Sequence, residues 1–385
     1  MKKTVQIAAM AVYLFCVTPI FSQVDNSFIK EFVSGNIREK IICIDSAYDS
    51  GENYDTLLSA ALDFIIVRYA LLSEDSDFME LAQSVVQKST ADELLPSLEI
   101  LFALTDNPDL KKDFLTVFLS AGGQNSEIVN LVNIYAEELL AENTAENDAM
   151  LLLTVQALGN FADISSFSVL FDCYAYSENK EISDAAAVVL DSFVGQYENQ
   201  VRKIISAGTD REKYFILQLV LKNNQNSDFF KAEMSEKALE TTINTIGDIS
   251  SVNNYTIALQ MAAIRELQRI SWTRSGDLIT QFFLVAKEEF EAELLTPEQF
   301  SEVIFVFARL SSRDASDYLS ACLEEFNMLQ EENISYSKPV VLAVIQSLGL
   351  LGNKVAFDPL LYATYLDYSE DIILAARDAL AALKW

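Results

Sequence analysis

Residues 348–380 read LGLLGNKVAFDPLLYATYLDYSEDIILAARDAL, and residues 158–190 read LGNFADISSFSVLFDCYAYSENKEISDAAAVVL. The two windows align without a gap at an offset of 190 residues. Leu158, Gly159, Phe167, Leu170, Ile182, Ala185, Ala186 and Leu190 recur as Leu348, Gly349, Phe357, Leu360, Ile372, Ala375, Ala376 and Leu380. A helix pair with two short turns needs about 35–45 residues, so this offset fits roughly five units of 38. The alanine pairs predict close approach between neighbouring helices. Gly159 and Gly349 are expected at helix ends, where a left-handed backbone stops the helix.

Apolar residues recur at three- and four-residue spacing well beyond these windows. Leu57, Leu58, Ala61, Leu62, Ile65 and Ile66 form one such face, and Ile128, Val129, Leu131, Val132, Tyr135 and Leu139 another. This is the helical period, and strand-like alternation is rare. With only 11 glycines and 6 prolines, the chain lacks the turns that an all-β protein needs. Thr90–Glu93, Thr209–Glu212 and Thr296–Gln299 have capping-box spacing, and Asn107–Pro108 and Thr296–Pro297 place a cap before a first-turn proline. The expectation is an all-α chain of about eighteen helices, each about 12–20 residues long. A hairpin cannot bury its apolar face alone, so the pairs must stack into an α–α superhelix of antiparallel helix pairs.

The repeated windows resemble HEAT repeats. Leu348–Gly349–Leu350–Leu351–Gly352–Asn353 matches the end of that family's first helix, and Asp358–Pro359–Leu360–Leu361 matches the start of its second. Ser369 to Leu380 match the opening of the following unit, while the 158–190 window keeps Leu158–Gly159 and Ala185–Ala186 but lacks the proline. The clear likeness covers about 80 residues, with degenerate versions near Ala262–Ile270 and Phe307–Leu319. The resemblance implies a HEAT-like solenoid that presents a surface to a protein or peptide partner.

Residues 1–22, MKKTVQIAAMAVYLFCVTPIFS, have the layout of a secretory signal peptide: basic Lys2 and Lys3, an apolar run from Val5 to Val17, a break at Pro19 and a small residue at Ser22. Cleavage is expected near Ser22–Gln23, leaving one HEAT-like domain over 23–385. Retention as an anchor is the alternative, but the apolar run is short for a membrane span. Leu14 and Phe15 before Cys16 do not suit a lipoprotein signal. No other run is long and clean enough to cross a bilayer. Export predicts the periplasm or cell envelope, with secretion as the other destination. Cys43, Cys173 and Cys322 lie far apart in apolar helical stretches, which predicts buried free thiols; one disulfide plus one free thiol is the alternative.

The chain carries 27 basic and 57 acidic residues, a formal charge of −30, and no histidine. Lacking histidine, it has no Ser/His/Asp or Cys/His catalytic system and no histidine-ligated metal. The acidic balance argues against nucleic acid, whose phosphates need Lys and Arg. No phosphate-binding glycine loop is present, so no cofactor is expected. Charge is uneven. No base lies between Lys112 and Lys180, where ten acids give −10, whereas 200–275 balances at +2. The acidic segment suits a basic partner or divalent ions, or serves solubility alone.

Several clusters invite chemistry. Glu137, Glu138, Glu142, Glu146 and Asp148 crowd one region, but nothing frames them as a site, and a solvated helix face explains them. Residues 45–55 fail calcium-loop spacing at Ser46, Tyr48 and Ser50. Ser177–Lys180 has Ser-x-x-Lys spacing without its companion motifs. Tyr174, Tyr176, Tyr362, Tyr365 and Tyr368 stand at corresponding turns of the two windows, where rigid amphipathic rings can anchor a partner or pack helix ends. The resulting expectation is an exported, non-catalytic scaffold for a protein or peptide. The alternative is a secreted all-α carbohydrate-active hydrolase using paired carboxylates. Two tryptophans and 11 glycines are few for such a cleft.

Overall fold

A computed structural model describes residues 27–50, 54–121, 125–142, 144–245 and 249–384. The expected leader and Cys16 lie outside the described residues. Among those residues the chain is all-α, with twenty helices and no strand beyond an isolated bridge between Asn353 and Lys384. None of these helices is long and apolar enough to cross a membrane. Packing divides the chain into two compact units at Ala136–Glu137, where the sequence had marked no seam.

The first unit contains α1 (Ser27–Ser34), α2 (Ile37–Ser50), α3 (Tyr54–Leu72), α4 (Ser76–Lys88), α5 (Leu95–Leu104), α6 (Pro108–Ala121) and the start of α7 (Ser126–Glu142). Neighbours pair, and next-but-one helices stack: α2 on α4 on α6, and α1 on α3 on α5. The apolar face of α3 read from sequence is buried between these rows.

The second unit holds α8 (Asp148–Phe161), α9 (Phe167–Tyr176), α10 (Lys180–Ser192), α11 (Glu198–Ala207), α12 (Asp210–Lys222) and α13 (Asp228–Thr245). It continues through α14 (Asn254–Ile270), α15 (Gly276–Glu291), α16 (Pro297–Leu310), α17 (Ser312–Glu331), α18 (Lys338–Leu351), α19 (Phe357–Ala363) and α20 (Glu370–Ala382). One row runs α12, α14, α16, α18, α20, and the other α11, α13, α15, α17, α19. Before them α8 stacks on α10, but α9 stacks on α12, so the alternation slips around α10 and α11.

The 190-residue offset holds to the residue. α8 and α18, the 3-10 turns Ile164–Ser166 and Lys354–Ala356, the starts of α9 and α19, and α10 and α20 all coincide at that spacing. Ten helices, hence five pairs, separate the copies. Their helix-ending geometry also matches. Ala162 (φ 51°) and Gly352 (φ 65°) adopt the left-handed cap, and Asp163 and Asn353 accept from the N–H two residues on. Ser271 (φ 57°) before the turn Thr273–Ser275 is a third example.

This corrects the role expected of Gly159 and Gly349. Both lie inside their helices, and neither stops one. They allow close approach instead: a Cβ on Gly349 would stand 3.1 Å from the Ala379 backbone, and one on Gly159 would stand 2.6 Å from a Val189 methyl.

The capping boxes at Thr209 and Thr296 form as expected. Thr90 forms none, because the chain turns through a 3-10 segment at Asp92–Leu94 capped by the backbone of Ala91. A box unread from sequence starts α14, between Asn253 and Thr256.

Buried lysines supply a second recurring device. Lys40, Lys111, Lys213 and Lys231 are each the fourth residue of their helix, and each is buried. Three reach back to carbonyls at the end of the preceding helix. Lys40 donates to Phe32 O, Lys111 to Phe102 O at 2.6 Å, and Lys231 to Leu221 O at 2.9 Å. Those carbonyls have no intrahelical donor, and a cation suits the negative helix end. Lys111 also lies 3.6 Å from the Phe102 ring centroid, which further offsets its desolvation.

Cys43, Cys173 and Cys322 are free and buried, as the sequence led us to expect. Burial pushes the Cys173 thiol up to about 12 and that of Cys322 up to about 11.

Candidate functional site

In the second unit, the end of α9 and the first turns of α12 and α14 assemble an aromatic ladder. The Thr209 box fixes the start of α12 and thereby places Arg211, Tyr214 and Phe215 in its first turns. The Asn253 box does the same for Tyr255 on α14, and Thr256 Oγ1 donates to Asp210 across the two helix starts. Tyr174 meets Phe215 edge-on at 5.2 Å, Phe215 meets Tyr214 at 5.6 Å, and Tyr214 meets Tyr255 at 6.0 Å. Arg211 lies over Tyr176 (4.9 Å), Tyr255 (5.5 Å) and Phe215 (5.7 Å), and its Nε donates to Ala175 O at 2.9 Å. One guanidinium thus orders three rings.

The ladder opens into a groove of about 420 Å³ whose walls include Tyr214, Ile257, Met261 and Leu294. Arg265 lies at its edge in a bidentate pair with Glu302, both contacts 2.8 Å. Leu294 is held in place by the turn after α15, where Glu293 takes a left-handed backbone (φ 62°) and Leu294 N donates to Glu289 O at 2.9 Å.

Two carboxylates flank the Tyr176 end. Burial, reinforced by Glu212 and Glu137, pushes Asp172 up to about 6. Burial alone would raise Glu212 as well, but bonds from Thr209 and Tyr176 outweigh it and hold Glu212 below the usual carboxylate range. Tyr176, a ring of the ladder, therefore touches both the Arg211 guanidinium and an ionised carboxylate.

No family model, curated protein or solved structure matches the chain.

A larger cleft, about 650 Å³, lies on the other row, between α11, α13 and the start of α15. Its charges are engaged with one another. Arg202 grips Glu233 with two 2.8 Å bonds, and Glu236 accepts from Arg274 at 2.6 Å and from the Trp272 indole at 3.0 Å. The Arg202 contact keeps Glu233 below the usual carboxylate range, opposite to what a general acid needs.

The five tyrosines singled out from sequence fall into two classes. Tyr174 and Tyr368 are buried, their rings part of the packing. Tyr176, Tyr362 and Tyr365 are exposed, Tyr365 most at 76%. Tyr176 belongs to the ladder, whereas Tyr362 donates to Glu331 on α17. Within the acidic run, Glu142 accepts from Asn147 at 2.7 Å and Asp148 from Asn179 at 2.8 Å. Among the described residues no three acids or cysteines gather as a metal-holding group. Ser177 bonds locally to Asn179 and Lys180 pairs with Asp184, so this Ser-x-x-Lys spacing makes a turn. Residues 45–50 finish α2, and Asp45 pairs with Lys88 at 2.9 Å.

Arg211, Tyr214, Tyr255, Met261 and Leu294 escaped the sequence reading. For the two tyrosines the signal was indirect: two helix starts, at Thr209 and Asn253, each followed within five residues by a tyrosine.

Proposed function

We propose that the chain is an exported, non-catalytic HEAT-like scaffold that holds a basic peptide segment of a protein partner along the α12–α14 groove. The observation carrying this reading is the ring ladder with one cation ordering it and carboxylates at one end. Rigid tyrosines give contact area at little entropy cost, and Met261 and Leu294 offer an adaptable apolar floor. Asp172 has room to gain from a partner's cation, because burial now disfavours its charge. The net charge of the chain, −30, favours encounter with positive segments. The HEAT resemblance and the leader support a surface role in the cell envelope by analogy of fold.

The test is panning of random peptides against the full chain. Enriched peptides should carry Lys or Arg beside an apolar residue. Tyr255→Ala and Asp172→Asn should each weaken them about tenfold or more, while Asp367→Asn on the α19–α20 turn leaves them unchanged. Peptides that are acidic, or that bind Tyr255→Ala as well as the parent, would overturn the reading. N-terminal sequencing of the exported chain should begin at Gln23.

A further inference from the structure

Behind the groove lies a fully buried acid that no part of the binding surface uses. Glu289 on α15 and Gln260 on α14 are both 0% exposed, and Gln260 Nε2 donates to Glu289 Oε1 at 2.9 Å. The other oxygen of each side chain, Gln260 Oε1 and Glu289 Oε2, is buried without a hydrogen-bond partner. Leaving two buried acceptors unsatisfied is costly, and an ionised carboxylate there costs more. A single hydrogen on Glu289 Oε2, donated to Gln260 Oε1, satisfies both atoms and completes a two-bond acid–amide pair.

We infer that Glu289 keeps its proton in the folded chain, and that losing it as pH rises loosens the α14–α15 contact that backs the groove. Three observations support this. Burial, only partly offset by Gln260, pushes Glu289 up to about 7, and Glu288 beside it opposes ionisation further. Most cations on the helices packed around it are engaged elsewhere, and Arg309 of α16 is exposed. On α14, Arg265 pairs with Glu302 of α16, and Arg269 pairs with Glu266 and with Asp228 of α13. Arg202, Arg274 and Lys237 take Glu233, Glu236 and Glu240 on α13, and Lys287 takes Glu325 on α17. Finally, the pair adjoins the groove on both sides. Gln260 precedes Met261, and the carbonyl of Glu289 anchors Leu294.

The sign follows from the raised affinity for the proton. The unfolded or locally opened chain releases it near pH 4.5, and the closed form near 7. Opening therefore becomes about tenfold more favourable per pH unit between pH 5 and 7, then levels off. The link to the groove rests on the function proposed above; the proton itself does not.

Hydrogen exchange of the free full chain, corrected for its intrinsic pH dependence, tests the inference without any partner. Amides of α14 and residues 289–294 should follow that slope in the parent and be flat in Glu289→Gln, whose amide can satisfy Gln260 without a titration. Equal slopes in the two would overturn it. Infrared spectra of the parent with carbon-13-labelled glutamate provide the arm that needs no variant. A protonated-carboxyl band present at pH 6 and fading by pH 8 is expected, and its absence at pH 6 would also overturn the inference. If these hold while panning fails, the proton stands and the proposed partner falls.

Discussion

Gly349 lies against the backbone of Ala379, just as Gly159, 190 residues earlier, lies against Val189. The positions are equivalent but the surroundings differ. At Gly349 the atoms in the way are the Cα and Cβ of Ala379, each 3.1 Å from a built Cβ. At Gly159 the near atom is a Val189 methyl only 2.6 Å from a built Cβ, on a β-branched side chain whose rotamer the helix restricts. Gly349→Ala should therefore destabilise by about 1–2 kcal/mol, helix propensity recovering roughly 1 kcal/mol of a larger steric cost. Gly159→Ala should destabilise by at least as much, because the closer Val189 methyl has to leave its preferred rotamer. Urea unfolding of the two variants makes the comparison.

Lys111 and Lys112 are neighbours with opposite environments, one buried on the Phe102 carbonyl and one exposed. Lys111→Met should cost about 1–3 kcal/mol by stranding that carbonyl. Lys112→Met should stay within about 0.5 kcal/mol. A shared loss would mean that charge, not the helix-end contact, matters.

Asp172 has its carboxyl raised from 3.8 to about 6. Its contribution to stability is thus fully present below about pH 4 and is lost as pH rises through 6. Asp172→Asn removes that slope and should stabilise the chain above pH 6, by less than about 2 kcal/mol once solvent screening is discounted. Melting temperatures across pH 4–8 supply the check, and a variant less stable than the parent at pH 8 would contradict it.

The three described thiols should resist modification. Cys173 and Cys322 bear almost no thiolate at pH 8, and all three side chains are buried. A thiol reagent should find them silent in the native chain and reactive in denaturant. Mobility on a non-reducing gel should match that on a reducing one.

Much of this architecture was legible because helix period and offset are written in side chains. The 190-residue register, the faces of α3 and the boxes at Thr209 and Thr296 were read directly. The glycines were misassigned because a helix stop and a close approach both demand the absence of a side chain, and only packing separates them. Tyr174 and Tyr368 shared a sequence environment with Tyr176, yet burial depends on which row covers each ring. The ladder itself joins residues up to 44 positions apart, as with Tyr174 to Phe215 and Arg211 to Tyr255. No local pattern encodes such a meeting.

The fourth-residue lysines carry a lesson for dissecting the chain. A fragment ending at Leu104 would keep the Phe102 carbonyl but discard the ammonium that serves it, whereas one ending at Ala121 retains both. Truncations intended to stand alone should be cut downstream of a lysine-bearing helix, because the helices before Lys40, Lys111 and Lys231 borrow their termini from the sequence that comes next.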